Sequence, residues 1–289
     1  MDGSEARLAV TARPMPADTV SPEALRTALR SAWADGIPPP PQLTMPAWSQ
    51  HFAQHGVDLS SSWALVRGPQ VVAFVLLTLR PAKRSRIAAF GVLPSARGQG
   101  AAATLLDVVL TRADARRDQW VEVEIPVQNR HAMKRVWAQG FKPVCRLYGY
   151  QAPPYDGRPP DTAYTPMASA EAVGRLDELD ATDPEALPWP VSSAAMAARP
   201  ALQAWRHERA QLIFESTGDS ALTVHSLIDR DPDQRGAMGL LGALRAHHPH
   251  HTLTTPPVHR EDSAARAFDA AGWTRLAHWQ WLLRYALCG

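Results

Sequence analysis

Phe90-Gly91-Val92-Leu93-Pro94-Ser95-Ala96-Arg97-Gly98-Gln99-Gly100-Ala101-Ala102-Ala103-Thr104-Leu105-Leu106 is the stretch on which the reading of the chain turns. An apolar run ends at Pro94, a turn carries Gly98 and Gly100, and an alanine- and leucine-rich segment follows. The pattern is strand, loop, helix, with the helix opening at Ala101. The first N–H groups of a helix have no partner within it, and the helix dipole is positive there. A pyrophosphate can accept those hydrogen bonds. Glycines at 98 and 100, followed by small Ala101 and Ala102, let an anion approach the backbone, and Arg97 adds charge. The loop lacks the Gly-x-Gly-x-x-Gly spacing of a Rossmann nucleotide site and lies too far into the chain for one.

Outward from this loop, elements alternate. Towards the N-terminus lie a short strand (Leu8 to Arg13), a helix capped by Ser21 with Pro22 in its first turn, a second helix from Pro46 to Gln54, and a hairpin of Trp63–Arg67 with Val71–Leu79 about Gly68-Pro69. Arg86 to Leu93 is the strand that feeds the loop. Beyond it come a helix to Arg116, a strand from Trp120 to Ile125, a helix from Arg130 ended by Gly140, and a strand from Arg146 to Tyr150. Such alternation predicts an α/β fold, a mixed sheet with helices on both faces.

The proline-rich stretch Gln151 to Asp161 reads as a linker. It divides the chain into residues 1–156 and 157–289, and the second part repeats the order of the first. Pro94…Arg97-Gly98 corresponds to Pro232…Arg235-Gly236, and Ala132 with Gly140-Phe141 to Ala264 with Gly272-Trp273. A repeat of this size predicts duplication of a whole domain.

Bulk properties bound the function. The chain has 289 residues, 45% of them hydrophobic, with 30 Lys+Arg against 28 Asp+Glu. That is enough apolar material for two folded domains, and no basic run points to nucleic acid or to a membrane surface. No apolar stretch is long enough for a membrane helix, and the N-terminus has no signal-peptide core. Two cysteines without CxxC spacing suit a reducing cytoplasm.

Arg97-x-x-Gly100-x-Ala102 closely resembles the coenzyme A signature of the GNAT acetyltransferases, and Val92-Leu93-Pro94 resembles that family's usual strand end. Asn129, Ala132 and Gly140-Phe141 resemble its next block. The resemblance implies acetyl-CoA as acyl donor, with the pyrophosphate at Arg97, Gly98, Gln99, Gly100, Ala101 and Ala102. It implies pantetheine pairing with the backbone of Phe90 and Val92 on a strand that splays from its neighbour, and Asn129 flanking coenzyme A. Glu124 stands where some family members place a general base. Glu122 shares its strand face and reads as a solvated neighbour. The acceptor is expected to be a primary amine on a small molecule or peptide, bound by the segment Ala34 to His55 and the domain interface. The family's tyrosine acid is replaced by Val136, so Tyr148 or Tyr150 or solvent would have to protonate the leaving thiolate. That gap leaves a second reading, a non-catalytic acyl-CoA-binding or regulatory protein.

The second copy has departed further from the pattern. Met238 stands for the phosphate-facing glycine, Pro256 for Glu124 and Glu261 for Asn129, so it reads as a degenerate copy. In layout alone the chain resembles tandem GNAT proteins such as the mycothiol synthases. His247-His248-Pro249-His250-His251 reads as a polar turn rather than a metal site, with no metal expected, and Lys83-Arg84-Ser85-Arg86 as a solvated turn.

Overall fold

A computed structural model of the chain describes residues 12–34, 45–80, 83–152, 155, 163–183 and 187–287. In the first half, β1 (Arg13–Pro16) leads to α1 (Pro22–Trp33) and α2 (Met45–Gln54). Next come β2 (Val57–Arg67), β3 (Gln70–Arg80), β4 (Arg84–Val92), α3 (Ala101–Ala115), β5 (Trp120–Pro126), α4 (Arg130–Ala138) and β6 (Lys142–Ala152). In the second half β7 (Thr165–Met167), α5 (Ser169–Thr182) and α6 (Ser193–Ala197) precede β8 (Leu202–His207), β9 (Ala210–Gly218) and β10 (Ala221–Asp229). The half ends with α7 (Arg235–His247), β11 (Thr252–Thr254), β12 (His259–Arg260), α8 (Ala264–Ala270) and β13 (Thr274–Ala286). Part of the strand expected at Leu8–Arg13, and most of the proline-rich segment, lie outside the described residues. Gln151 and Ala152, read as linker, end β6 instead.

Local chemistry explains the elements that frame the site. Ser21 Oγ accepts the Ala24 N–H at 3.2 Å and so caps α1. Leu25, Ala28, Leu29 and Ala32, spaced by three and four, then bury one face of α1 against Phe74 and Leu76. Leu105, Leu106, Val109 and Ala113 do the same for α3 on the opposite side of the sheet, against Val75, Ile87 and Val121. Asn129 Oδ1 accepts the Ala132 N–H at 3.1 Å and starts α4.

Among the described residues one sheet runs β1-β2-β3-β4-β5-β13-β6-β11-β10-β9-β8-β7, with β12 also paired to β6. The expectation that residues 1–156 complete a sheet of their own is therefore corrected. β13, the last strand of the second half, lies between β5 and β6. β6, the last strand of the first half, pairs with β11 and β12. The halves exchange their final strands around the long antiparallel β6–β13 pair. The exchange suits the side chains, because Leu283 of β13 is fully buried in the core beneath α3 and α4. Tyr150 of β6 is fully buried against Phe268 of α8, their rings 4.7 Å apart.

The other sheet face also joins the halves. Arg80 and Arg84, 5% and 3% exposed in their side chains, both pair with Asp180 of α5, at 3.0 and 2.9 Å. Arg80 also donates to the Leu187 carbonyl at 3.1 Å, and α2 packs on α6. The reading of residues 83–86 as a solvated turn is corrected here. Arg84 and Arg86 are buried, because β4 begins at Arg84 and alternates into the sheet.

Candidate active site

β4 and β5 run parallel from Arg84↔Trp120 to Ile87↔Val123, and their pairing stops there. Against β3, Leu77 faces Ile87 and Leu76 faces Ala89, so Ala88 is an unmatched bulge residue. A bulge bends its strand. Beyond it Ala88–Val92 and Glu124–Pro126 diverge into a notch that leads from the sheet to the N-terminus of α3. This is the splay expected of the strand carrying Phe90 and Val92.

The turn at the end of the notch is built for close approach. Gly98 and Gly100 have φ of +75° and +83°, and a Cβ on either would meet nothing within 4 Å. Only glycine takes those angles at little cost, and the space above both is open. Ala101 is buried against the core, Ala102 partly so. Gln99 is held by its amide, which donates to the Ser95 carbonyl at 2.8 Å and accepts from Arg67 at 2.8 Å. Arg97 folds back, its guanidinium donating to the carbonyls of Val92 at 3.2 Å and Ala32 at 3.0 Å. The Trp33 indole N–H donates to the Phe90 carbonyl at 3.1 Å. Side chains of the protein thus already meet both carbonyls singled out in the sequence. Asn129 acts on its own helix, as the α4 cap.

Glu124 stands on β5 at the mouth of the notch. Its side chain is 2% exposed and pairs with Arg86, itself 8% exposed. The pairing engages Oε2, while Oε1 is buried with no hydrogen-bond partner. Glu122 is not the solvated neighbour expected from alternation. It is 9% exposed and accepts from Arg284 of β13 at 2.8 Å, a cross-strand partner supplied by the exchanged strand. Burial pushes the Glu122 carboxyl up, against the pull of Arg284.

The same exchange bears on the two tyrosines considered as acids. β6 is the second neighbour of β5 rather than the first, roughly 10 Å away at ordinary strand spacing. Tyr150 donates to the Ala265 carbonyl and Asp269 in the second half, and burial raises its phenol well above the usual range. Neither reaches Glu124 as an adjacent strand would. Two histidines of the segment expected to bind the acceptor lie within reach of the charge of Arg86 or Arg199. His51 and His55, one helical turn apart, have rings 4.5 Å apart. Burial first, then His51, Arg86 and Arg199, pushes the His55 imidazole down to about 3, and burial also lowers His51. Their i, i+4 spacing was the one cue in the sequence.

The corresponding place in the second half is arranged differently. β10 and β11 pair only over Ala221–Thr223, and His225 is the unmatched residue against β9. At the N-terminus of α7 the carboxylate of Asp229 accepts the Ala237 N–H at 2.9 Å and, through its other oxygen, the Asp231 N–H at 2.9 Å. An internal anion occupies the place a phosphate would take. Met238, which stands for the phosphate-facing glycine, is partly buried and packs against the core. Gly236 serves packing, since a Cβ there would lie 2.8 Å from the Ala210 Cβ.

Among the described residues no His, Cys, Asp and Glu cluster could hold a metal. His247 instead bonds Tyr164 at 2.7 Å and packs on Trp205. No described helix is long and apolar enough to cross a membrane.

Residues 23–141 match the acetyltransferase (GNAT) family. The likeness of fold extends along the chain. A GCN5-related N-acetyltransferase from Sphaerobacter thermophilus superposes with a TM-score of 0.59, at 18% identity over 95% of each chain. One from Kribbella flavida gives 0.63, at 17% identity over 95% of this chain and 72% of that one. A tandem GNAT protein from the clavulanic acid biosynthesis pathway gives 0.57, at 15% identity over 95% of this chain and 98% of that one. No curated protein matches in sequence. Residues 23–141 thus carry the likeness in sequence to the GNAT acetyltransferases, and nearly the whole chain shares their fold.

Proposed function

We propose that the chain transfers an acetyl group from acetyl-CoA to a primary amine of a small molecule or peptide, in the notch of the first half. The observation that carries this is the end of the β4–β5 ladder at Ile87↔Val123, opening onto the uncovered Gly98–Gly100 turn. Phosphate oxygens would be met by the first N–H groups of α3. Pantetheine would lie along Phe90 and Val92, displacing the Trp33 indole if it takes the Phe90 carbonyl. Asn129 would hold α4 beside it.

In this reading the amine nitrogen attacks the thioester carbonyl, the C–N bond forms, and the C–S bond breaks with the electron pair leaving on sulfur. The nitrogen must lose a proton. Glu124 Oε1, unpartnered while Oε2 holds Arg86, is the acceptor atom assigned here. The leaving thiolate takes its proton from solvent.

Calorimetry tests the placement. Coenzyme A should bind once per chain, and Gly100→Trp should abolish binding by filling the open space above the turn. Two equal sites, or unchanged affinity in that variant, would refute it.

A further inference from the structure

The edge of β4 that faces the first notch is already engaged by the protein itself. The Leu93 N–H donates to the Val72 carbonyl at 2.9 Å, so alternate residues of β4 turn their peptide groups to β3. Phe90 and Val92 turn theirs the other way, into the opening beyond the β5 pairing. Both carbonyls there accept from side chains: Phe90 from the Trp33 indole N–H at 3.1 Å, and Val92 from Arg97 Nε at 3.2 Å.

The end of α1 is fitted to this edge. Ala32 and Trp33 are the last residues of that helix. Gly91 lies between the two carbonyls, and a Cβ there would sit 2.5 Å from Phe74 Cζ and 2.8 Å from the Ala32 Cβ. A glycine at this point is what admits α1 so close. Arg97 also donates to the Ala32 carbonyl at 3.0 Å, tying the C-terminus of α1 to the same turn. Helix and strand are thus pinned, and the indole is the part that can turn about its own side-chain bonds. It is half-buried, its ring 6.3 Å from that of Phe74.

The two contacts differ in what they obstruct. Arg97 holds its carbonyl beside the Gly98–Gly100 turn, where its charge also suits a phosphate. Trp33 holds the carbonyl two residues back, clear of that turn. An extended amide chain lying on β4 needs the Phe90 carbonyl for its own N–H. Indole and amide are both neutral N–H donors, so one can replace the other without leaving a carbonyl unsatisfied.

We propose that Trp33 is an autoinhibitory latch on the first notch: it holds the hydrogen-bond position of the amide arm of coenzyme A, and that arm, not the phosphates, releases it. The latch rests on the placement of coenzyme A given under the proposed function.

The test labels the full chain with ¹⁵N-tryptophan. The Trp33 indole signal is assigned by its loss in Trp33→Phe, which keeps an aromatic ring beside Phe74. Calorimetry on the same samples measures binding. Coenzyme A should move the Trp33 signal saturably and speed the exchange of its N–H with solvent. 3′-Phospho-ADP, which has the phosphates but no amide arm, should leave the signal in place. Trp33→Phe should bind coenzyme A about 3- to 10-fold more tightly, because one neutral hydrogen bond no longer has to be broken. Coenzyme A that binds while the Trp33 signal stays put, an equal response to 3′-phospho-ADP, or unchanged or weaker coenzyme A binding in Trp33→Phe would overturn the latch and leave the cofactor's placement standing. Failure of coenzyme A to bind, or binding that survives Gly100→Trp, would remove the placement and the latch with it.

Discussion

The two oxygens of Glu124 are unequal, and that inequality is where catalysis can be tested. Oε2 is committed to Arg86 and Oε1 is unpartnered. Glu124→Gln keeps the shape and a carbonyl oxygen for Arg86 while removing the base. General base catalysis contributes about 10²–10⁴-fold. Turnover should fall on that scale with coenzyme A affinity unchanged, and the deficit should shrink at high pH, where the amine is already neutral. Glu122→Gln separates structure from chemistry. Its carboxylate holds Arg284 across the exchanged strand, so this variant should lose about 1–3 kcal/mol of stability in urea denaturation, with turnover little affected. Equal losses of turnover in both variants would remove Glu124 from the role.

At the scale of elements, the two strand–turn–helix units differ in what fills the helix N-terminus. α3 opens from Gly100 in the left-handed region under empty space, whereas α7 is closed by Asp229. Gly100→Ala should weaken coenzyme A binding and cost about 1–2 kcal/mol, the penalty of an L-residue at φ +83°. Gly236→Ala should cost a comparable 1–3 kcal/mol, but through overpacking against Ala210. Coenzyme A affinity should be untouched there. Paired calorimetry and thermal melts distinguish the two outcomes.

For the whole molecule, strand exchange makes each half incomplete alone. A fragment of residues 1–156 lacks β13, which fills the place between β5 and β6 and supplies Leu283 and Arg284. It should fail to give the dispersed amide spectrum of a folded domain, and a cooperative melt of that fragment would contradict the exchange. Acid sensitivity is also global. His259 and His55 are held down at about 3, and His225 at about 4, chiefly by burial. Between those values and about 6.5 the unfolded chain binds protons that the folded chain does not. Stability should therefore fall as pH drops from 6.5 towards 4.5, by up to ~1.4 kcal/mol per pH unit for each such histidine. His259→Phe, which keeps an apolar ring beside Phe268, should flatten the dependence of the urea midpoint by about one proton.

Sequence by itself determined the local units. Helix caps at Ser21 and Asn129, the left-handed glycines at 98 and 100, and the alternation of β5 follow from short-range sterics and hydrogen bonding, so residues a few positions apart encode them. The strand, turn and helix at one end of the notch were legible for the same reason, whereas its opening between β4 and β5 was expected only from the family resemblance. Tertiary structure alone decided the partners. β6 and β13 are both apolar final strands behind a Gly-aromatic turn, and nothing local in either states which neighbour it joins. That choice comes from the fit of Leu283 and Tyr150 into cores more than a hundred residues away in sequence. It brought Arg284 to Glu122 and removed Tyr148 and Tyr150 from β5. Likewise Arg86 reached Glu124, and Asp229 the end of α7, through sheet register and the closing of a turn. A charge in sequence carries no statement of its partner, because pairing is a property of distance after folding.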